Sequence, residues 1–377
     1  MSQHEYLYYG TRCSSREVEE FLLHIFEVNA KAEAAGRRKT PVCIWGKHGI
    51  GKTQLVEQVA KDKGYKWAYF APAQFEEMGD LVGMPRIADQ SHGQAATEFV
   101  PPEWVPREEG PGILLIDDVN RADDRILRGI MQLLQNFELV SWKLPPKWEI
   151  VLTANPDGGD YSVTPMDDAM LTRMLHVSMV FDVKRWAAWA ELNQVDPRGI
   201  NFVLTYPETV SGLRTTPRTL VQFFENIAPV EDLQAHLSLV KMLGDACLDS
   251  ETVTAFISYV GNRLSKLPSP QDILNSMDFV AEIAEPLRKI VVGETKRVDI
   301  LSVVTTRLFN HLIVNKIDLK GSARENVIQF LLLDFFPNDL RFMVAQDLMR
   351  EGQDSLRSLW QHPELGMVFL ANANFGA

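Results

Sequence analysis

The eight residues Gly46, Lys47, His48, Gly49, Ile50, Gly51, Lys52 and Thr53 have the composition and spacing of a phosphate cradle. Glycines let backbone N–H groups turn inward around anionic oxygens, and the N-terminus of a following helix adds partial positive charge. The pattern G-x-x-x-x-G-K-[ST] lies between a β-rich run, "PVCIWG", and a helical run that begins "KTQLVEQVA", which is the context such a loop requires. Lys52 is placed to neutralise the β- and γ-phosphates of a nucleotide, and the Thr53 hydroxyl to ligate Mg2+. With Gln54 in the first helical turn, Gly46 to Gln54 form the expected binding segment, and ATP and Mg2+ its ligands.

A second cluster, "ILLIDD", places Asp117 and Asp118 after four apolar residues. A buried central strand with carboxylates at its C-terminal end sits where ligands collect in open parallel sheets. Asp117 is expected to hold Mg2+ through water, and Asp118 to orient and polarise the attacking water. The usual residue at the second position is Glu. Asp is about 1.5 Å shorter in reach, and a misplacement of that size costs about a hundredfold in rate unless the strand end or the water shifts. Asp118 would otherwise cap the next helix, a role for which Asn120 and Asp123 are equally placed. In "TANP", Asn155 ends another strand and offers a neutral amide to the water or the γ-phosphate; Asn-Pro is also a common turn.

These groups need a sheet to hold them. The apolar runs "PVCIWG", "KWAYFAP", "GILLI", "WEIVLTANP" and "LHVSMVFD" read as five strands, with the helix "ADDRILRGIMQLLQNF" between the third and fourth. Strands that are apolar throughout and alternate with helices predict a parallel α/β sheet covered on both faces. Ser14 and Glu17 have capping-box spacing ahead of a first helix, and Ser322 and Glu325 have it ahead of a late one. A β-hairpin insertion is expected over about 84–105, its tip near Ser91 to Gly93. Helical periods dominate after Asp182, with a second boundary near 291. Trp104, Trp186 and Trp189 read as packing residues. Asn315, Lys316 and Asp318 reproduce an N-K-x-D guanine motif, but they end an amphipathic helical run far from the glycine loop, so the base is read as adenine.

Taken in order, "GKHGIGKT", "LLIDDVNRA", "VLTANP", "MDDAMLTRML" and "TTPRTL" resemble the MoxR-type branch of the AAA+ ATPases, which is related to the MCM helicases. The resemblance spans residues 40 to about 225. It implies a P-loop α/β fold, a three-layer αβα core over 1–181 with a five-stranded parallel sheet. A helical lid would follow over 182–290 and a helical extension over 291–377. It makes "MPRIADQSHGQAATEF" the inserted hairpin. It identifies Arg173 with an arginine finger acting on a neighbouring subunit's nucleotide, although the flanking Asp and Phe are replaced. It identifies Arg218 with the second sensor, Arg214 being a near competitor. Lys52, Asp117, Asp118, Asn155 and Arg173 would then be the catalytic set, completed only between subunits of a homo-oligomeric ring, a hexamer. A protein client for remodelling, and a partner bearing a von Willebrand factor A domain, are implied by the resemblance alone.

Composition bounds the partners. The chain of 377 residues carries a net charge of −12 with 46% apolar and 23% charged residues, an ordinary globular balance. That acidity, and a hairpin offering only Arg86 and His92, weigh against nucleic acid. No apolar run approaches the ~20 residues a membrane span needs, and no signal pattern opens the chain. Cys13, Cys43 and Cys247 have neither metal nor disulfide spacing, and Cys43 reads as a buried hydrophobe; a reducing, cytoplasmic setting is expected. The leading expectation is an ATP-driven remodelling ring. Two alternatives are a nucleotide-gated scaffold with little turnover, for which Asp118 argues, and a DNA-associated motor.

Overall fold

The computed structural model describes residues 9–87, 97–156, 163–261, 267–292, 297–314, 317–351, 359 and 362–366. The expected hairpin tip at Ser91 to Gly93, and Asn315 and Lys316 of the guanine-like motif, lie outside these residues. The chain divides into two compact units, Met1–Asp182 and Val183–Ala377.

The first unit runs β1 (Thr11–Cys13), α1 (Ser15–Ala34), β2 (Val42–Trp45), α2 (Lys52–Lys63), β3 (Lys66–Phe70), α3 (Met78–Val82), β4 (Met84–Ile87) and β5 (Thr97–Val100). It continues with β6 (Gly112–Ile116), α4 (Asp124–Asn136), β7 (Trp148–Ala154), α5 (Asp168–Leu171) and β8 (Leu175–Met179). Among the described residues six strands form one parallel sheet in the order β1-β8-β2-β7-β6-β3. The α/β fold and its parallel sheet are as expected from the apolar runs. The sixth strand, β1, was not expected: three residues, two of them exposed, carry no periodicity. It is held by register with β8 and by the bond from Ser178 Oγ to the Tyr9 carbonyl, 2.8 Å. Gly10 makes that approach possible. Its φ is +76°, and a Cβ there would stand 2.2 Å from the His176 carbonyl oxygen.

Alternation along the buried strands divides the core into two layers. Val42, Ile44, Ile113, Leu115 and Val151 pack with Val18, Leu22, Ile25 and Phe26 of α1 and Val56 and Val59 of α2. Cys43, Trp45, Leu114, Ile116, Ile150 and Leu152 pack with Ile126, Ile130, Leu133 and Leu134 of α4 on the other face. Cys43 is buried, as its apolar surroundings predict. The α1 capping box is present: Glu17 N donates to Ser14 Oγ, and Ser14 N donates to the Glu17 carboxylate at 2.7 Å. Strands β4 and β5 form a separate antiparallel hairpin, with Arg86 paired to Glu98 across it. Trp104, at its base, packs against Phe70, Phe75 and Trp142.

The second unit is helical: α6 (Val183–Leu192), α7 (Pro197–Thr205), α8 (Pro217–Ile227), α9 (Leu237–Cys247), α10 (Ser250–Gly261), α11 (Pro270–Asn275), α12 (Glu285–Val291), α13 (Val298–Val314), α14 (Gly321–Leu331) and α15 (Asn338–Glu351). Arg307 of α13 is buried and donates to Glu191 of α6 and Asn201 of α7, at 2.9 and 3.1 Å. Trp186 is buried beside Phe224, whereas Trp189 is 42% exposed, so only one of the pair packs inside. The second capping box does not form. Helix α14 starts at Gly321 with Lys320 at the cap, which puts Ser322 inside the first turn. No helix among the described residues is long and apolar enough to cross a membrane.

At the N-terminal end of β7, Glu149 is buried and accepts a 2.7 Å bond from Asn29 Nδ2 of α1. Asn29 also clamps Thr40 through its carbonyl and amide, and Lys39 donates to Glu33 and to the Trp148 carbonyl. Burial dominates and pushes the Glu149 pKa up from 4.5 to about 7, against the Asn29 bond and Lys39. Because the folded-state pKa is the higher one, the folded chain binds the extra proton. The associated stability is complete below pH 4.5 and is lost as pH rises through about 7; it amounts to about 3 kcal/mol. Denaturant unfolding from pH 5 to 8 should therefore show Glu149→Gln, which keeps an acceptor for Asn29, gaining roughly 1–3 kcal/mol over the wild type at pH 8. At pH 5 the two should nearly coincide.

Candidate active site

Strands β2, β7 and β6 are neighbours in the sheet, and their registers put Trp45 beside Ala154 and Ile116 beside Leu152. Their C-termini therefore deliver the glycine loop, Asn155 and Asp117–Asp118 to one edge. The loop turns at Gly49 and Gly51, with φ of +73° and +93°, a region that only glycine enters without cost. Gly46 has no space for a side chain, since a Cβ would lie 2.7 Å from Ile50 Cδ1 and 2.8 Å from the Met179 carbonyl oxygen. Helix α2 begins at Lys52 with no side-chain cap at Gly51. A helix start without a side-chain cap keeps its N–H groups for an anion.

Lys52 is 6% exposed. A buried ammonium needs acceptors, and its Nζ donates to the carbonyls of Gly46 (2.8 Å) and Lys47 (3.1 Å) and to Asn155 Oδ1 (3.3 Å). Asn155 then donates from Nδ2 to Asp118 Oδ1 at 3.0 Å, and Asp118 Oδ2 lies 3.3 Å from Arg121 Nε. Hydrogen bonds thus link Lys52, Asn155 and Asp118, and an ion pair extends the series to Arg121. The end of β7 is fixed by a reciprocal pair: Asn120 Nδ2 donates to the Asn155 carbonyl (2.8 Å), and Asn155 N donates to Asn120 Oδ1 (3.1 Å).

Asp117 Oδ1 accepts from the hydroxyls of Thr53 (2.8 Å) and Thr153 (2.6 Å), and Oδ2 from Tyr69 (3.2 Å). Burial, then the charge of Asp117, pushes the Tyr69 pKa up, which keeps the phenol protonated as a donor. Thr53 and Asp117 fit Mg2+: one hydroxyl and one carboxylate converge, both hard oxygen ligands. Among the described residues no cluster of three or more His, Cys, Asp or Glu would hold a metal alone. An ion held by one hydroxyl and one carboxylate would take its remaining positions from substrate phosphates and water.

Asp118 adopts φ 48° and ψ 47°, a left-handed turn residue. Asp and Asn tolerate this region because the short polar side chain bonds locally, whereas other residues lose roughly 1–2 kcal/mol there. The turn gives a physical account of the shortened carboxylate: the backbone carries Asp118 to Asn155 without the extra methylene. Capping of α4 falls to Asp123, which accepts from Ile126 N at 3.0 Å.

The arginines divide clearly. Arg173 is half-buried and donates to Gln135 Oε1 and the Ala169 carbonyl; it bonds to none of the residues above. Arg214 is occupied by carbonyls at the end of α9, those of Asp245 and Ala246. Arg218 lies in the second unit, exposed at the start of α8, with no hydrogen bond or ion pair among the described residues. Thr153, Asn120, Arg121 and Tyr69 were not expected at the site. Strand alternation puts Thr153 on the same side as Asn155, but its place beside Asp117 depends on the pairing of β7 with β6.

Residues 41–174 match the model of the AAA domain, dynein-related subfamily. Those residues, within the α/β unit, are similar to an AAA+ ATPase domain. Similar solved structures include Thermotoga maritima RuvB, titled a Holliday junction branch migration motor. It shares 14% identity over 81% of this chain and 90% of that one, with a TM-score of 0.35. A single-residue variant of the same protein gives 14% identity, 72% and 86% coverage, and a TM-score of 0.40. These values are too low to carry an argument about the activity of this chain. The expectation that nucleic acid is an unlikely partner is withdrawn. A Holliday junction motor is among the similar structures, and a net charge of −12 leaves room for a local basic groove on an acidic body.

The left-handed turn generates a prediction for the AAA+ site. Asp118→Asn should keep its unfolding free energy and lose turnover by about a hundredfold or more, as removal of a proton acceptor does. Asp118→Glu should lower the unfolding free energy by roughly 1 kcal/mol and give no faster hydrolysis. Denaturant melts and steady-state phosphate release on both variants check this.

Proposed function

We propose that this chain is an assembly-dependent ATP-hydrolysing machine of the MoxR-type branch, working as a ring of six copies in the cytoplasm. The observation that carries this reading is the continuous contact Lys52–Asn155–Asp118, which joins the phosphate-binding lysine to the carboxylate at the strand end. The hairpin of β4 and β5, which follows α3, supports the branch assignment. The free thiols of Cys13, Cys43 and Cys247 are in keeping with a reducing compartment.

In this reading the triphosphate sits in the loop 46–51 against the start of α2, and Lys52 moves from its carbonyls to the β- and γ-phosphate oxygens. Thr53 and Asp117 would hold Mg2+, which would supply positive charge to the phosphate oxygens. Asp118 takes the proton of the attacking water, whose oxygen bonds to the γ-phosphorus as the bond to the β,γ-bridging oxygen breaks. Asn155 orients the water. A cation for the developing charge is supplied by Arg173 of a neighbouring copy, and Arg218 keeps the second-sensor role that the resemblance implies. The exposed Met84, Ile87, Phe99 and Val100 of the hairpin provide the surface that contacts the remodelled substrate.

A second reading is a nucleotide-gated scaffold with little turnover. It is favoured by the occupancy of both Asp118 oxygens, by Asn155 and Arg121. Phosphate release measured across the concentrations at which copies assemble separates the two. The machine reading expects turnover per chain to rise with concentration, and to fall by about 10²–10³ in Lys52→Ala and Arg173→Ala. Mixing Asp118→Asn with Arg173→Ala chains should restore part of it, because each lends what the other lacks. Tight ATP binding without turnover, with or without added duplex DNA, would establish the scaffold; stimulation by DNA would establish a DNA-associated motor.

A further inference from the structure

Thr153 is fully buried in β7, two residues before Asn155, and its hydroxyl touches both acidic residues of the site. It donates its one proton to Asp117 Oδ1 at 2.6 Å and accepts from the backbone N–H of Asp118 at 2.8 Å. Asp117 Oδ1 is also the oxygen that accepts from Thr53. A hydroxyl has one proton to give, so the direction of both bonds is fixed: the side chain points its proton at the carboxylate and its lone pair at the turn.

We propose that Thr153 is a positioning residue for ATP hydrolysis, setting the carboxylate of Asp117 and the left-handed turn of Asp118 from a single buried atom. Without the hydroxyl, Asp117 keeps Thr53 and Tyr69 as donors but loses its shortest bond, and its carboxylate rotates about the side-chain torsion. The Asp118 N–H loses its partner beside the buried end of β7, so the turn relaxes toward backbone angles that move the carboxylate away from Asn155. A displacement of about 1 Å at a proton acceptor lowers rate by about a hundredfold while leaving ground-state binding nearly intact. The signature of positioning is a loss in kcat with little change in KM, joined to a higher Mg2+ requirement, since Asp117 is the residue expected to hold the ion.

The inference rests on the ATPase activity, and its test has two readouts. Thr153→Val replaces the hydroxyl by a methyl of the same shape, and Thr153→Ser keeps the hydroxyl with less packing. Expected are a kcat lower by roughly ten- to a hundredfold in Thr153→Val, KM within about threefold, and Thr153→Ser close to the wild type. Binding of a fluorescent ATP analogue in EDTA should be the same in all three, while half-saturating Mg2+ rises about tenfold in Thr153→Val alone. Should the valine variant fail to fold by thermal melt, Thr153→Ala against Thr153→Ser makes the same comparison. Equal losses in the valine and serine variants would overturn the proposal, because packing rather than the hydroxyl would be responsible. Wild-type kinetics and Mg2+ dependence in Thr153→Val would also overturn it. A wild-type protein without turnover would instead count against the ATPase reading, and the Mg2+ titration would then decide the role of Thr153.

Discussion

A parallel sheet buried on both faces sends the C-terminus of every strand to one edge, and the site depends on that constraint. The pairings of β2 with β7 and β7 with β6 hold three strand ends side by side. From them emerge a glycine loop, an amide and two carboxylates. The two hydrophobic layers, led by Leu22 and Phe26 on one face and Ile126 and Ile130 on the other, are what make those pairings rigid. Close-packed interiors leave little slack, so the groups at the strand ends are held in place relative to one another. The opposite end of the sheet is closed by polar contacts of its own, centred on Glu149, Asn29 and Lys39.

Burial then dictates the chemistry of the edge. Lys52, Thr153, Asn120 and Asn155 are all removed from solvent, and each is fully engaged by neighbours. Polar groups in such a place polarise one another and lock a single geometry. The result is a network in which Lys52 of the glycine loop and the strand-end carboxylate of Asp118 are two bonds apart. Arg121 adds a cation at the far end of that network.

Much of this was legible in the sequence. Strand runs, the loop, the acidic pair and Asn155 follow from apolar periodicity and from spacing, which are local properties. The Ser14–Glu17 capping box was legible for the same reason. What escaped depended on contacts distant in the chain. Strand β1 exists only because β8 offers an edge and Gly10 has no side chain. Tyr69 and Thr153 meet Asp117 from strands whose order no single segment encodes. The Ser322–Glu325 spacing misled because a capping box needs the chain to enter the helix at the serine, and here it enters earlier. The left-handed backbone of Asp118 was equally invisible, although its choice of residue was visible as an oddity.

The glycine loop itself supplies partners for its lysine. The Lys52 ammonium already has three acceptors inside the fold, two of them carbonyls of the loop itself. A ligand must offer anionic oxygens at that depth before the lysine gains anything by leaving them. In the proposed reading, a triphosphate that draws Lys52 from these carbonyls also removes a donor from Asn155. The Lys52–Asn155 bond is then the contact through which filling of the loop would reach the amide at the end of β7.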